Sequence, residues 1–302
     1  MTATAGLSFQ GQSARTAPRD PGRGFVAPAI FVLLLVGVFP FLWSIVVSVQ
    51  NVTGSNASGS FVGLGNYERV LSDPRLGWAI LRTLAIIAVA LPIQLVLGML
   101  MALHFQAERP GKRLMVALLV LPAMISPMVG GSMWRLMFDQ RFGPLNQIIS
   151  AVMGKPVVLL WTVKPDLAFW AVIITEVWQW TPFMFVILMA AIANIDRSLI
   201  ESARIDGAGA WSVFRYVILP GIWPVLATAL LIRSLDLFRI FDAVWQLTRG
   251  GPGSRTETLS VFMYIRGFQS FDTSYAAAIV VLLVLGMSVL MVWVLRRMEV
   301  KR

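Results

Sequence analysis

Six long apolar runs alternate with polar segments along the 302-residue chain. Each run holds about twenty or more residues, which is the length that an α-helix needs to cross the hydrocarbon core of a bilayer. The pattern therefore predicts an all-α polytopic membrane protein with about six transmembrane helices. The predicted spans are residues 25–49, 78–103, 114–138, 167–195, 216–241 and 275–295.

The third run is the least regular of the six. Pro122 and Pro127 lie inside it, which predicts a kink or break that faces protein or water rather than lipid. The two ends of the chain are polar. Residues 1–24 are rich in Gly, Ser, Thr and Pro and predict a disordered tail, and residues 296–302 form a short basic tail.

The composition excludes an ordinary soluble domain, because 57% of the residues are hydrophobic and only 13% are charged. A net charge of +10 in a soluble protein would favour nucleic acid as a partner. Here the basic residues lie in small groups at the ends of apolar runs, so the predicted partner is a lipid bilayer and not nucleic acid. The chain has no cysteine, which excludes disulfides and thiolate metal sites.

The basic residues also predict the orientation of the spans, since cytoplasmic segments carry more Lys and Arg. One side would hold thirteen of them, including both tails and the polar segment 196–220, and the other side eight. Both termini and segment 196–220 are therefore predicted to be cytoplasmic. The richer side comprises Arg15, Arg19, Arg23, Arg109, Lys112, Arg113, Arg197, Arg204, Arg215, Arg296, Arg297, Lys301 and Arg302.

The polar segment 196–220 contains signals for two short helices. Ser198 followed by Glu201 has the spacing of a capping box, and Gly207 is placed to end the helix in a left-handed turn. A second helix is predicted over residues 210–218, with Pro220 marking the entry into the next span. An ordinary helix in a loop between two spans would give the same pattern.

The order of residues in this segment resembles the "EAA" loop of permease subunits of binding-protein-dependent ABC importers. The resemblance rests on Glu201-Ser202-Ala203, Asp206-Gly207-Ala208, Phe214, Pro220 and Pro224. Ser202 stands where the family usually has Ala, which is a small-for-small change. Three further stretches, residues 63–67, 134–146 and 247–252, resemble the maltose-type sugar permeases of that family.

The resemblance implies a type I ABC importer permease fold in a bacterial cytoplasmic membrane. The loop would be a coupling helix that seats in a cleft of an ATPase subunit. Other implied partners are a second homologous permease subunit, a second ATPase subunit, an extracytoplasmic solute-binding protein and a carbohydrate-type solute. The coupling residues would be Glu201, Ser202, Ala203, Asp206, Gly207 and Ala208.

No catalytic constellation, metal site or Gly-x-x-x-x-Gly-Lys-Ser/Thr phosphate loop stands out in the chain. The chain is therefore predicted not to be an enzyme and to bind no cofactor. ATP and Mg²⁺ would bind to the partner ATPase subunits.

Polar residues inside apolar spans are costly and usually face a cavity or a partner. In span four, Glu176, Gln179 and Trp180 suit a sugar, which has hydroxyls at its rim and C–H patches on its faces. Alternatively, Glu176 pairs with an arginine and the tryptophan packs in an interfacial belt. In span five, the three-residue spacing of Arg233, Asp236, Arg239 and Asp242 predicts pairs along one helix face. The candidate solute pathway comprises Glu176, Gln179, Trp180, Asp236, Arg239 and Asp242.

The predicted function is an ATP-driven importer subunit that passes a sugar, polyol or glycoside through an alternating-access cavity. One alternative is a secondary transporter driven by an ion gradient, although such transporters usually show repeated halves. An integral-membrane enzyme is the other alternative.

Overall fold

The computed structural model describes residues 22–299, and most of this part of the chain is helical. The prediction of an all-α fold is thus confirmed. Of the predicted tails 1–24 and 296–302, residues 1–21 and 300–302 lie outside the described residues, whereas residues 22–24 belong to the first helix and residues 296–299 to the last. The helices are α1 (Gly22–Leu33), α2 (Phe39–Ser48), α3 (Gly65–Leu71), α4 (Pro74–His104), α5 (Lys112–Met124), α6 (Pro127–Met137), α7 (Pro144–Met153), α8 (Pro165–Ala193), α9 (Arg197–Ile205), α10 (Ala210–Val213), α11 (Leu219–Phe238), α12 (Asp242–Leu247), α13 (Leu259–Tyr264) and α14 (Thr273–Glu299).

Four helical segments are long and apolar enough to cross a bilayer: Val26–Ser48, Pro74–His104, Pro165–Ala193 and Ala210–Leu247. Helices α5 and α6 pass the same test together but are bent by 98°, and α14 is apolar over Thr273–Val289. Within residues 22–299, the four segments and the α5–α6 pair overlap five of the six predicted runs, and α14 overlaps the sixth as a shorter apolar helix. The break predicted in the third run falls at Ile125 and Ser126, between α5 and α6.

Short π-helical turns join α1 to α2 and α10 to α11, and a third extends the end of α13. They span Leu34–Val38, Phe214–Ile218 and Ile265–Gln269. One small antiparallel hairpin interrupts the helical pattern. Its strands, β1 (Gln50–Thr53) and β2 (Asn56–Phe61), pair Gln50 with Phe61 and Thr53 with Asn56.

Helices α4 and α8 form the centre of the bundle and run parallel. At Gly98 the helices approach so closely that an added Cβ would lie 2.8 Å from Cβ of Met184 and 3.0 Å from the amide nitrogen of Phe185. Small residues permit such backbone approach between helices in a membrane. Around this contact, one apolar cluster holds Ile86, Val172 and Leu237, and another holds Met99 and Leu188.

The two ends of the bundle differ in chemistry. The end where α4 and α8 finish also carries α9 and α10, and we call it the α9 end. The opposite end is cross-linked by ion pairs between α3 or α4 and the segments that precede α14: Arg69–Asp272 at 2.7 Å, Arg75–Glu257 at 2.9 Å and Asp73–Arg266 at 3.2 Å.

Candidate functional site

Helix α9 begins with a carboxylate cap. Oδ1 of Asp196 accepts a hydrogen bond of 2.9 Å from the backbone amide of Ser198. This bond from the Ser198 amide lowers the pKa of Asp196. The predicted cap at Ser198 is therefore wrong, because Asp196 is the N-cap residue and Ser198 lies inside the first helical turn.

The end of α9 lies where the sequence predicts it. Gly207 has a φ of +81°, and the amide of Ala208 donates to the carbonyl of Ala203 at 2.9 Å. This is the left-handed glycine turn that satisfies the last carbonyls of a helix. An added Cβ at Gly207 would meet no neighbour, so the requirement for glycine here comes from its backbone conformation.

The helix after this turn does not stop at residue 218 as predicted. Helix α10 continues through the π-helical turn Phe214–Ile218 into α11, in which Pro220 lies in the first turn. The amide of Leu219 donates to the carbonyl of Phe214, five residues back. Proline has no N–H to donate, and Pro220 lies just after the π-helical turn, where the α-helical hydrogen-bond pattern is already interrupted.

The predicted coupling residues lie together on the surface of the α9 end. Glu201, Ser202, Asp206 and Gly207 are exposed, and Ala203 and Ala208 are partly buried beneath them. Large apolar side chains are exposed beside them, with Leu199 57%, Ile205 85%, Trp211 72% and Tyr216 76% exposed. Exposed apolar residues of this size mark a surface that contacts another protein or the membrane.

Behind α9 lies a cavity of about 800 Å³ lined by the ends of α4 and α8 and by α9 and α10. Arg197, Arg204 and Lys112 contribute positive charge to its walls. Lys112 donates to Glu108 at 2.8 Å, and this bond lowers the pKa of Glu108. The coupling residues therefore form the outer face of a layer that is loosely packed on its inner side.

A second group of polar residues lies in the interior of the bundle. The guanidinium of Arg233 on α11 forms an ion pair with Glu176 on α8, and the two side chains are only 2% and 5% exposed. Nε of Arg233 donates to Oε1 of Gln94 at 3.1 Å, and Nε2 of Gln94 donates to the carbonyl of Glu176 at 3.1 Å. The guanidinium also lies over the ring of Trp180, 4.5 Å from its centroid. This cluster joins α4, α8 and α11.

Asp236 extends the cluster toward solvent. It lies 3.8 Å from Arg233 and 2.8 Å from the exposed Arg239. The predicted pair of Arg239 with Asp242 is wrong in the described chain, since α11 ends at Phe238 and Asp242 begins a new helix. The two residues therefore do not share one helix face.

Gln179 has a different neighbour from the rest of the predicted pathway. Its side chain is 1% exposed, and its Nε2 donates to the carbonyl of Ile125 at 2.8 Å. Ile125 is the last residue before the break between α5 and α6. Gln179 thus satisfies a carbonyl that the break leaves without a helical partner.

Two groups of functional interest are absent from the sequence prediction. Gln94 is the one amide side chain within the second apolar run. Because polar residues inside spans usually face a partner or a cavity, its position was the sequence signal for a functional role. Glu257 is 1% exposed and accepts two hydrogen bonds of 2.9 Å from Arg75. Within residues 22–299, no three His, Asp or Glu side chains converge as a metal site requires.

Residues 80–300 match the family described as "Binding-protein-dependent transport system inner membrane component". This match covers more than half of the chain. The chain belongs to this family. The membership argues against the ion-driven secondary transporter and the membrane enzyme.

Two curated relatives are similar to the permease over most of its length. One is the trehalose transport system permease protein SugA of Mycobacterium tuberculosis, 35% identical over 286 residues, which cover 93% of this chain and 89% of the relative. The other is the trehalose/maltose transport system permease protein MalF of Thermococcus litoralis. It is 32% identical over 239 residues, which cover 79% of this chain and 80% of the relative.

The fold of the permease is also similar to that of a solved structure, the bacterial alginate ABC transporter in complex with an alginate pentasaccharide-bound periplasmic protein. The TM-score is 0.78 at 20% sequence identity, and the match covers 90% of this chain and 92% of the other. At this identity the likeness concerns the fold, and it confirms the predicted ABC importer permease fold.

Proposed function

We propose that this permease passes a sugar, polyol or glycoside from an extracytoplasmic binding protein through an alternating-access cavity, driven by ATP hydrolysis on separate subunits. The observation that carries the proposal is the exposed turn from Glu201 to Ala208 on a helix capped at both ends. The names of the relatives, which refer to trehalose and maltose transport, support the carbohydrate class.

The turn would transmit force between an ATPase and the spans. Helix α9 is joined to α8 by only three residues, and the turn at Gly207 joins it to α10, which is continuous with α11. A push on Glu201, Ser202 or Asp206 therefore acts on both long helices at once. Alternating access needs this link because the ATPase must bind the two conformations with different free energies.

The partners in this proposal are a second homologous permease, two ATPase subunits and the solute-binding protein. ATP and Mg²⁺ bind to the ATPase subunits, and this chain binds no nucleotide and catalyses no reaction. The exposed Ile205, Trp211 and Tyr216 supply apolar area for the ATPase contact.

The proposed solute pathway passes the polar cluster of the bundle interior, and its residues have different roles. Trp180 and Asp236 are partly exposed, and Arg239 is 76% exposed, so these three can contact hydroxyls and a sugar face. The carboxylate of Glu176 is paired with Arg233, and the side chain of Gln179 donates to the carbonyl of Ile125. These two residues would position the pathway rather than touch the solute. Asp242 lies at the start of α12 and is partly exposed.

In the proposed orientation, both termini and the α9 end face the cytoplasm of a bacterial cell. The excess of basic residues on that side supports it. Reporter fusions at residue 205 and residue 255 test the orientation. We expect a cytoplasmic signal at 205 and an extracytoplasmic one at 255, and the reverse pattern would refute the topology.

The coupling role is tested on the full complex, purified with its co-expressed partners and reconstituted in liposomes. We expect Glu201→Ala and Gly207→Val to lower uptake per ATP hydrolysed, or to release the ATPase subunits, while the chain still inserts. Ser202→Ala is the matched control, because it restores the residue that the family usually has. Wild-type coupling in both test variants would remove the turn from the mechanism.

A further inference from the structure

A groove with apolar walls lies between the first turns of α4 and α8, at the end of the bundle opposite α9. Its volume is about 440 Å³, and its walls include Trp78, Leu81 and Ala85 from α4 and Phe169 and Trp170 from α8. Trp78 is 59% and Trp170 47% exposed, so the groove is open along its side. Tryptophans at the ends of apolar helices lie at the depth of lipid headgroups.

Two arginines, Arg82 and Arg255, line the same groove. Nη2 of Arg82 donates to Oγ of Ser254 at 3.2 Å. Its Nη1 is buried and has no hydrogen-bond partner in the described part of the chain. Glu257, whose two oxygens accept from Arg75 at 2.9 Å, makes no hydrogen bond to this nitrogen.

The second arginine is only loosely held. Arg255 lies 3.3 Å from Asp166, and both side chains are exposed, at 60% and 85%. Exposed ion pairs of this kind contribute little free energy and exchange partners readily. Two guanidinium groups therefore line the groove, against one lining carboxylate, Asp166, that is mostly in solvent.

We propose that this groove binds an anionic phospholipid, with Arg82 and Arg255 on the phosphate and one acyl chain along the apolar wall. Guanidinium groups form charge-assisted hydrogen bonds with phosphate oxygens, and these bonds are stronger than those between neutral groups. The wall below Arg82 is formed by Leu81 and Ala85, which present no hydrogen-bonding groups to a sugar. An acyl chain needs no hydrogen-bonding groups, so this wall suits it.

The proposal is tested by native mass spectrometry of the full chain in mild detergent, titrated with dioleoylphosphatidylglycerol. We expect Arg82→Gln to weaken binding of this lipid by about tenfold, the effect of one charge-assisted hydrogen bond. Lys164→Gln is the matched control, since it removes the same charge from an exposed position beside the start of α8 that does not line the groove. Its affinity should equal that of the wild type.

Three further measurements decide the identity of the ligand. Ala85→Trp fills the groove without replacing Arg82 or Ser254, so this variant should also weaken binding of the lipid. It serves as the test variant if Arg82→Gln does not fold. Inorganic phosphate at millimolar concentration should not displace the lipid, and dioleoylphosphatidylcholine, which has no net negative charge, should bind more weakly. Equal affinities for the two lipids, displacement by phosphate, or equal losses in Arg82→Gln and Lys164→Gln would overturn the proposal.

Discussion

The buried ion pair between Glu176 and Arg233 allows the most quantitative prediction. Both side chains are almost fully buried, and Arg233 is held by Glu176, Gln94 and the ring of Trp180. Replacing Arg233 with Ala leaves the carboxylate of Glu176 buried without a counter-ion. Removing one partner of a buried pair typically costs about 3–5 kcal/mol in the free energy of unfolding.

Glu176→Gln should cost less than Arg233→Ala. Gln keeps an oxygen that can accept from Arg233, and the guanidinium retains Asp236 at 3.8 Å. We expect a loss of about 1–3 kcal/mol, the cost of weakening a hydrogen bond to a charged group. The double variant Glu176→Leu with Arg233→Met removes both charges and fills a similar volume. It should be more stable than Arg233→Ala, because no unpaired charge remains.

The assay is unfolding of the full chain in mixed detergent micelles, followed by circular dichroism as the fraction of SDS rises. A double-mutant cycle built from Glu176→Leu, Arg233→Met and the variant that carries both then isolates the coupling between the two positions. If the effects of the two single replacements add, with no coupling energy, the pair does not hold α8 against α11 and the reasoning fails. Uptake measured in the same variants separates loss of stability from loss of the solute pathway.

The remaining predictions concern helix packing, acid stability and the pathway. Gly98→Ala should lower the unfolding midpoint, since its Cβ would lie 2.8 Å from Cβ of Met184, whereas Gly77→Ala in the same helix meets no neighbour and should not. Burial raises the pKa of Asp73, but hydrogen bonds from Tyr275 and the Arg75 amide and the charge of Arg266 outweigh it, so the pKa is lowered from 3.8. The stability that Asp73 contributes is full above pH 3.8 and lost as the pH falls through the lowered value. Thermal unfolding should therefore depend less on pH in this acid range in Asp73→Asn, and an unchanged slope would exclude the effect. In the reconstituted complex, Trp180→Ala should reduce solute uptake while the complex stays assembled. Trp180→Phe should retain part of the uptake, because a ring face remains. Equal uptake in both variants and the wild type would take this residue out of the pathway.

The sequence alone determined the parts of this protein that depend on local pattern. A run of apolar residues predicts a span wherever it occurs, because a bilayer demands the same length and hydrogen bonding of every helix. The break at Ile125 followed from Pro122 and Pro127, and the end of α9 followed from Gly207, whose left-handed conformation is a property of one residue. The order of residues from Glu201 to Pro224 was sufficient to indicate the family.

Only the tertiary structure decided which polar groups meet. Glu176 and Arg233 lie 57 residues apart in the chain, and no spacing rule joins them. The rule that was applied, pairing at three residues along one helix, failed for Arg239 and Asp242 because α11 ends between them. The spacing of residues along the sequence predicts which side chains meet only within a single helix. Once helices pack and water is excluded, a buried charge pairs with the counter-ion that lies opposite it on a neighbouring helix. Which residue lies opposite depends on the register between the helices rather than on either sequence segment.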